Sequence, residues 1–240
     1  MKKRPYTICL MMTTLDGKIL VDKWGDSPRI EKLGGKFEEV HNQIGSYSWI
    51  VGRTTMEKDF TNFAKPVYKP GTHSIPRTDS NANPDAGTYA IVIDPHAKLG
   101  WEKSEMHGDH VITVLAESVP DAYLAHLQDI GVSYIFGGVT EIDLNIVLEK
   151  LYNLFRIDIL MVEGGGHLNG SFLNEGLIDE YHHLLLPVVD GNHDNPAMFE
   201  IAQKGKKFDA ALFKLEQVKR IEDDVLWLTY SCGPQVKKIH

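Results

Sequence analysis

Residues 159–191, ILMVEGGGHLNGSFLNEGLIDEYHHLLLPVVDG, decide how the rest of the chain is read. Ile159 to Val162 form an apolar run of strand character, and Gly164, Gly165 and Gly166 remove every Cβ from the turn that follows. Leu168, Phe172, Leu173 and Leu177 then return at helical spacing, before a second apolar run. A strand passing through glycines into a helix leaves backbone N–H groups available at the helix start, where the helix dipole places about half a positive charge. A pyrophosphate or carboxylate is favoured there without any Lys or Arg in the turn. The same residues also suit a tight connection that holds no ligand, since glycine permits both.

Working outward, strand and helix patterns alternate. Tyr6 to Met12 read as a first strand, closed by the turn Leu15-Asp16-Gly17-Lys18, whose Asp-Gly pair tolerates positive φ. Ser27 as N-cap and Pro28 at the first helical position predict a helix with the apolar face Leu33, Phe37, Val40 and Ile44, ending near Gly45. Trp49 to Val51 is a short strand, Thr55 to Phe60 a short helix, and residues 61–88, with their Pro, Gly, Asn and Asp, a long exposed excursion. Tyr89 to Ile93, Val111 to Leu115 and Tyr134 to Phe136 are further strands, with helices near 119–130 and 143–155. Beyond the glycine turn, His182 to Val188 and Val225 to Tyr230 are strands with no long helix between them, and so are expected to pair antiparallel. Leu212 to Val218 supplies another strand, and a short helix is expected around Met198 within Asn195 to Gly205. The predicted fold is α/β: a single domain over residues 1–240, with a mostly parallel central sheet, helices on both faces and an antiparallel C-terminal edge.

Composition narrows the function. A hydrophobic content of 42% suits a filled core, and a net charge of -8 argues against nucleic acid or an anionic membrane as partner. Cys9 and Cys232 lie far apart in apolar runs, as buried free thiols of a reducing compartment would. The short apolar run after Lys2, Lys3 and Arg4 makes neither a signal peptide nor a membrane span, so a cytoplasmic protein is expected.

No metal site is expected. His182 and His183 are neighbours on a strand and point to opposite faces, and neither HExxH nor a His/Cys quartet occurs. GxSxG, GxxxxGK[ST] and GxGxxG are also absent, which removes support for a serine hydrolase or a Walker-type phosphotransferase. The second informative stretch is WIVGRTTMEKDF, residues 49–60, where a strand ends at Gly52 and Arg53, Thr54 and Thr55 follow. The guanidinium of Arg53 suits a phosphate monoester, and Thr55 offers hydroxyl and N–H donors; the alternative is a hydroxyl that only caps the helix. Two anion-ready turns fit a ligand with separated phosphates, such as NADP(H). Thr13, Thr14 and Asp16 fall at the end of the first strand, near the mouth of any cleft at that edge.

In order, T-x-L-D-G-K-I, G-D-S-P, I-V-G-R-T-T-x-x-x-D and V-E-G-G-G-x-L-N-G-x-x-L-x-x-G-L-I-D-E give the chain its resemblance to a known family. It resembles, from about residue 6 to 230, the reductase domain of riboflavin biosynthesis, whose fold is similar to dihydrofolate reductase. In bacteria that domain is commonly fused to a zinc deaminase; no H-x-E…P-C-x-x-C site occurs here, so deamination is not expected. The resemblance implies NADPH as cofactor, with Gly165 through Ser171, His167, Leu168 and Asn169 among them, at its pyrophosphate and Thr55 and Asp59 as further contacts; Gly164, Gly166, Thr13, Gly52 and Arg53 are cofactor-binding candidates from the turns themselves. It also implies Ser27 and Glu163 at the substrate, Asp16 or Glu163 as the catalytic carboxylate, and a homodimer. The implied substrate is a diaminopyrimidinone ribosylamino 5′-phosphate, whose opened ribose accepts hydride at C1′ and becomes ribityl.

The chain departs from the family in its phosphate contacts. Many members carry Arg where this chain has Gln43, and a D-N-P-x-L-T-x-R run where it has Phe60-Thr61-Asn62-Phe63. Either Lys65, Lys69 or Arg77 compensates, or the substrate carries no phosphate. The alternatives are a reductase of the same fold acting on another pyrimidine or a pterin, and a non-catalytic NADPH-binding protein.

Overall fold

A computed structural model describes residues 3–45, 47–67, 74–201 and 210–232. The strands are β1 (Tyr6–Thr13), β2 (Ser48–Gly52), β3 (Tyr89–Ile93), β4 (Glu105–Met106), β5 (Asp109–Ala116), β6 (Ser133–Gly138), β7 (Ile159–Val162), β8 (Glu180–Leu185), β9 (Phe213–Arg220) and β10 (Leu226–Cys232). The helices are α1 (Pro28–Gly34), α2 (Lys36–Ile44), α3 (Arg53–Asp59), α4 (Asp121–Asp129), α5 (Leu144–Phe155) and α6 (Gly166–Asn174). The fold is α/β with a mostly parallel sheet and an antiparallel C-terminal portion. The chain divides into two compact units, Met1–Tyr6 with Tyr47–Leu160, and Thr7–Ser46 with Met161–His240.

In the first unit β2, β3, β5 and β6 pair parallel in that order, and β4 adds a short antiparallel partner to β5. These strands are nearly continuous apolar runs because both their faces are covered, and Ile50, Ile91, Ile112 and Leu115 are wholly buried. The stripe Leu144, Val147, Leu148, Leu151 and Phe155 of α5 is buried throughout, as its 3.6-residue spacing requires. Among its described residues the excursion 61–88 has no helix and is exposed or half-buried, yet it is anchored. Ser80 exchanges backbone hydrogen bonds with Tyr134 of β6, and Asp79 accepts from the Phe136 N–H (2.9 Å) and from Lys150 Nζ (2.9 Å).

In the second unit β1 pairs parallel with β8, β8 antiparallel with β10, and β10 antiparallel with β9. Burial falls along that order, from β1, buried except at Tyr6, to β9, exposed except at Phe213. Ser27 caps α1 by accepting from the Ile30 N–H, with Pro28 at the first position. The single helix expected from Pro28 to Gly45 is interrupted at Gly35, giving α1 and α2. Glycine is the weakest helix former after proline, and Gly34 lets Val21 approach within 3.4 Å of where a Cβ would lie. The helix expected around Met198 is not formed in the described part, residues 195–201; Ala197 instead bridges Lys18 antiparallel. Residues 202–205 of that expectation lie outside the described residues. Cys9 is buried as expected but Cys232 is only half-buried, since it ends β10. Burial keeps both thiols protonated, pushing that of Cys232 up to about 12. No described helix is long and apolar enough to cross a membrane.

Candidate active site

The glycine turn belongs to the second unit. Gly164 stands at φ +95°, where an L side chain is strained. Gly165 is the extended N-cap of α6 and supplies no side-chain cap, so the first amides of the helix have neither an intrahelical nor a side-chain acceptor at the cap. That arrangement fits an anion. Gly166 and Gly170 have a different reason: a Cβ on Gly166 would lie 2.2 Å from the Ala197 carbonyl oxygen, and one on Gly170 2.1 Å from that of Glu200. Residues 195–200 therefore pack backbone to backbone against α6, and those two glycines permit it. The Glu200 N–H donates to the Gly166 carbonyl at 2.9 Å and Asn169 Nδ2 to the Met198 carbonyl at 3.0 Å. Asn169 is thus fully buried and fastened to this strap, Leu168 is buried, and His167 is exposed beside Glu200 at 3.3 Å.

The other end of the strap is held by the Asp16 turn. Asp16 accepts from the backbone N–H groups of Gly191 (2.8 Å) and Asp190 (3.1 Å), and Lys18 Nζ donates to the Asn195 carbonyl (2.9 Å). Hydrogen bonds from the Thr14 side chain, then Gly191 and Asp190, hold the Asp16 carboxyl down at about 2. It is ionised at neutral pH and has no proton to give. Thr13 is fully buried, and its hydroxyl bonds the Thr14 carbonyl (2.9 Å) and His183 Nε2 (2.7 Å). Burial lowers the His183 pKa to about 4, so the ring is neutral, and with the Thr13 proton on Thr14 the imidazole donates Nε2–H. The Thr13 hydroxyl is thus engaged by Thr14 and His183 within the fold.

Glu163 follows β7 directly, and one carboxylate oxygen meets Nδ1 of His41 on α2 at 2.6 Å, with side-chain exposures of 9% and 12%. Ser27 is exposed and its hydroxyl is the α1 cap.

Gly52, Arg53, Thr55 and Asp59 belong to the first unit. Gly52 ends β2 and is the N-cap of α3, a helix of 7 residues that begins at Arg53, two residues before its expected start. Thr55 and Asp59 stand four apart, on one face of it. The guanidinium of Arg53, read from the sequence as suited to a phosphate monoester, pairs with Glu57 one turn on, and Glu57 also takes Lys65 Nζ at 3.1 Å. Burial works to raise the Glu57 pKa, but Lys65 and Arg53 outweigh it and the carboxyl stays ionised. Nearby, burial raises the pKa of Asp94, whose carboxylate accepts from the N–H groups of Lys98 (2.8 Å) and Leu99 (2.9 Å). Of the cations suggested to replace the family's arginines, Lys65 is engaged with Glu57. Arg77 is engaged with the carbonyls of Glu117 and Val119 and with Asp121. Lys69 lies outside the described residues.

Sequence reasoning passed over His41 and the strap residues Lys18, Asn195 and Glu200. His41 carried a signal, since it falls four residues after Phe37 on the apolar side of the helix.

The model of the RibD C-terminal domain family matches residues 5–227. A 2,5-diamino-6-ribosylamino-4(3H)-pyrimidinone 5′-phosphate reductase of Methanothermobacter thermautotrophicus is 26% identical over 225 residues, 93% of this chain and 96% of that protein. Among solved structures, a pyrimidine reductase-like protein from Corynebacterium diphtheriae superposes with a TM-score of 0.65 at 16% identity, covering 95% of this chain and 91% of the other. RibD of Acinetobacter baumannii gives 0.62 at 21% identity, covering 95% of this chain but 58% of that longer one. The family model spans nearly the whole chain, and the likeness to solved structures extends over the same fold, so this chain belongs to the RibD C-terminal domain family.

Proposed function

We propose that this chain is an NADPH-dependent reductase that converts the ribosyl group of a diaminopyrimidinone ribosylamino 5′-phosphate to ribityl, in the cytoplasm and as a homodimer. The observation that carries the reading is the carboxylate of Glu163 set immediately before a glycine turn whose helix start has no cap of its own. The turn Gly164–Gly166 and the start of α6 would hold the cofactor pyrophosphate, and the resemblance assigns Thr55 and Asp59 to the same cofactor and Ser27 to the substrate. NADPH supplies a hydride when bound. The protein's own residues align donor and acceptor carbons, exclude water and manage one proton. Asp16 is ionised and engaged with the 190–191 backbone, which leaves Glu163 as the carboxylate for the proton. The exposed Leu215 and Val218 on β9 support pairing with a second copy.

Titration with NADPH and NADH by fluorescence, followed by addition of the pyrimidinone phosphate and loss of reduced-cofactor absorbance, tests this reading. Tight NADPH binding with turnover is expected. Binding without turnover rejects the substrate. One observation favours a second reading, a related pyrimidine without a phosphate: Lys65 and Arg77 are both held by protein groups. The dephosphorylated substrate reacting as fast as the phosphate would select it.

A further inference from the structure

We propose that His41 is the positioning residue of Glu163, fixing its carboxylate and sharing with it the proton that the reduction consumes; this rests on the reductase reading above. Nδ1 of His41 and Oε1 of Glu163 are 2.6 Å apart, the length of a charge-assisted hydrogen bond. Both side chains are close to buried, so the contact between them is poorly hydrated. His41 is held by α2, whose neighbouring residue Val40 is fully buried, and Glu163 by β7, whose last residue Val162 is fully buried. The pair is thus fixed by two packed elements and not by loops. A surface ion pair would show none of this.

The step balances with one proton from this pair. The C1′=N bond of the opened ribosylamine receives a hydride at C1′, the electrons of the C=N π bond move to nitrogen, and nitrogen takes a proton from Glu163 as Nδ1 of His41 passes its own proton to that carboxylate. The reduced cofactor is oxidised by two electrons, no other oxidant or reductant is needed, and water returns a proton to the pair through His41. The imidazole bound through Nδ1 keeps Glu163 in one orientation and holds the proton in reserve on the ring.

The test compares wild type, His41→Ala, His41→Asn and Glu163→Gln for folding, NADPH affinity and steady-state reduction. Asn retains a donor at the Nδ1 position without a titrating ring. His41→Ala is expected to lower kcat about 100-fold, the low end for general acid catalysis, with KM and NADPH affinity unchanged, and His41→Asn to recover about tenfold of that loss. An unchanged kcat, a loss shared equally by KM and cofactor affinity, or an Asn variant no better than Ala overturns the proposal. If the Ala variant does not fold, the Asn variant decides: kcat about tenfold below wild type at an unchanged melting temperature supports the role, and wild-type kcat overturns it. If wild type binds NADPH but reduces nothing, the substrate reading fails instead, and 15N spectroscopy of the histidines decides the pairing. A deshielded Nδ1 proton at His41 that is lost in Glu163→Gln supports the dyad, and the same spectrum in both overturns it.

Discussion

The two turns that the sequence presents as anion sites differ in where their charge goes. The glycine turn contains no basic side chain, and the polarity of its uncapped helix start is free to meet a ligand. The Gly52–Arg53 turn carries a full positive charge, but the buried carboxylate of Glu57, one helical turn on, pairs with it and also takes the exposed Lys65. A backbone dipole has no local counter-ion to find, whereas a flexible guanidinium reaches the nearest carboxylate. An arginine beside a turn therefore says less about ligand binding than a turn with no side chains.

The largest expected effect breaks the first turn. Gly170→Val puts a branched side chain against the Glu200 carbonyl, and a loss of about 3 kcal/mol or more, read by denaturant melting, is expected because the neighbour is backbone and cannot step aside. Gly165→Val tests ligand binding: NADPH affinity should fall about 100-fold, roughly 2.7 kcal/mol, in a protein that still folds. Unchanged affinity removes the pyrophosphate from this turn.

Acid comes next. His183 is neutral in the fold with its pKa lowered to about 4, whereas the unfolded chain protonates it near the ordinary value of 6.5. Its contribution to stability is complete above about pH 6.5 and is lost as pH falls toward 4, by about 3 kcal/mol at most. Melting between pH 7 and 4 reads this, and His183→Gln should flatten the dependence. Persistence of the full slope in that variant assigns it elsewhere.

The second turn gives the smaller effects. Arg53→Ala should cost about 1–2 kcal/mol of stability, because Glu57 keeps Lys65 but loses its nearer partner, while the preference for NADPH over NADH shifts less than about threefold. A selective collapse of NADPH affinity would show that Arg53 leaves Glu57 for a 2′-phosphate, and would erase the contrast between the turns. Smallest is Asp16→Asn, which weakens the latch on 190–191; slightly faster proteolysis of that loop without loss of the global fold is expected.

Most strands were legible because their apolar runs have no other periodicity, as in β3 and β5, and α1 began where Ser27-Pro28 said it would. The pattern failed where a local signal met a long-range contact. Gly35 interrupts a helix that its apolar stripe would continue, and residues 195–201 pack as a strap because Gly166 and Gly170 leave backbone room for them. The partners of Arg53 and His41 were invisible for opposite reasons. Glu57 lay in plain view at i+4 as an ordinary helix pair, while Glu163 is 122 positions from His41 and meets it only once β7 and α2 have packed.

By itself the sequence determined the α/β class, the family and the glycine turn, because backbone freedom, hydrophobic period and capping are local properties of residue type. Tertiary structure alone decided which charges remain available. Arg53, Asp16 and Thr13 are committed to Glu57, the 190–191 backbone and His183, and the Glu163 carboxylate to His41, because hydrogen bonds are shared out by proximity in space, which residue type does not encode.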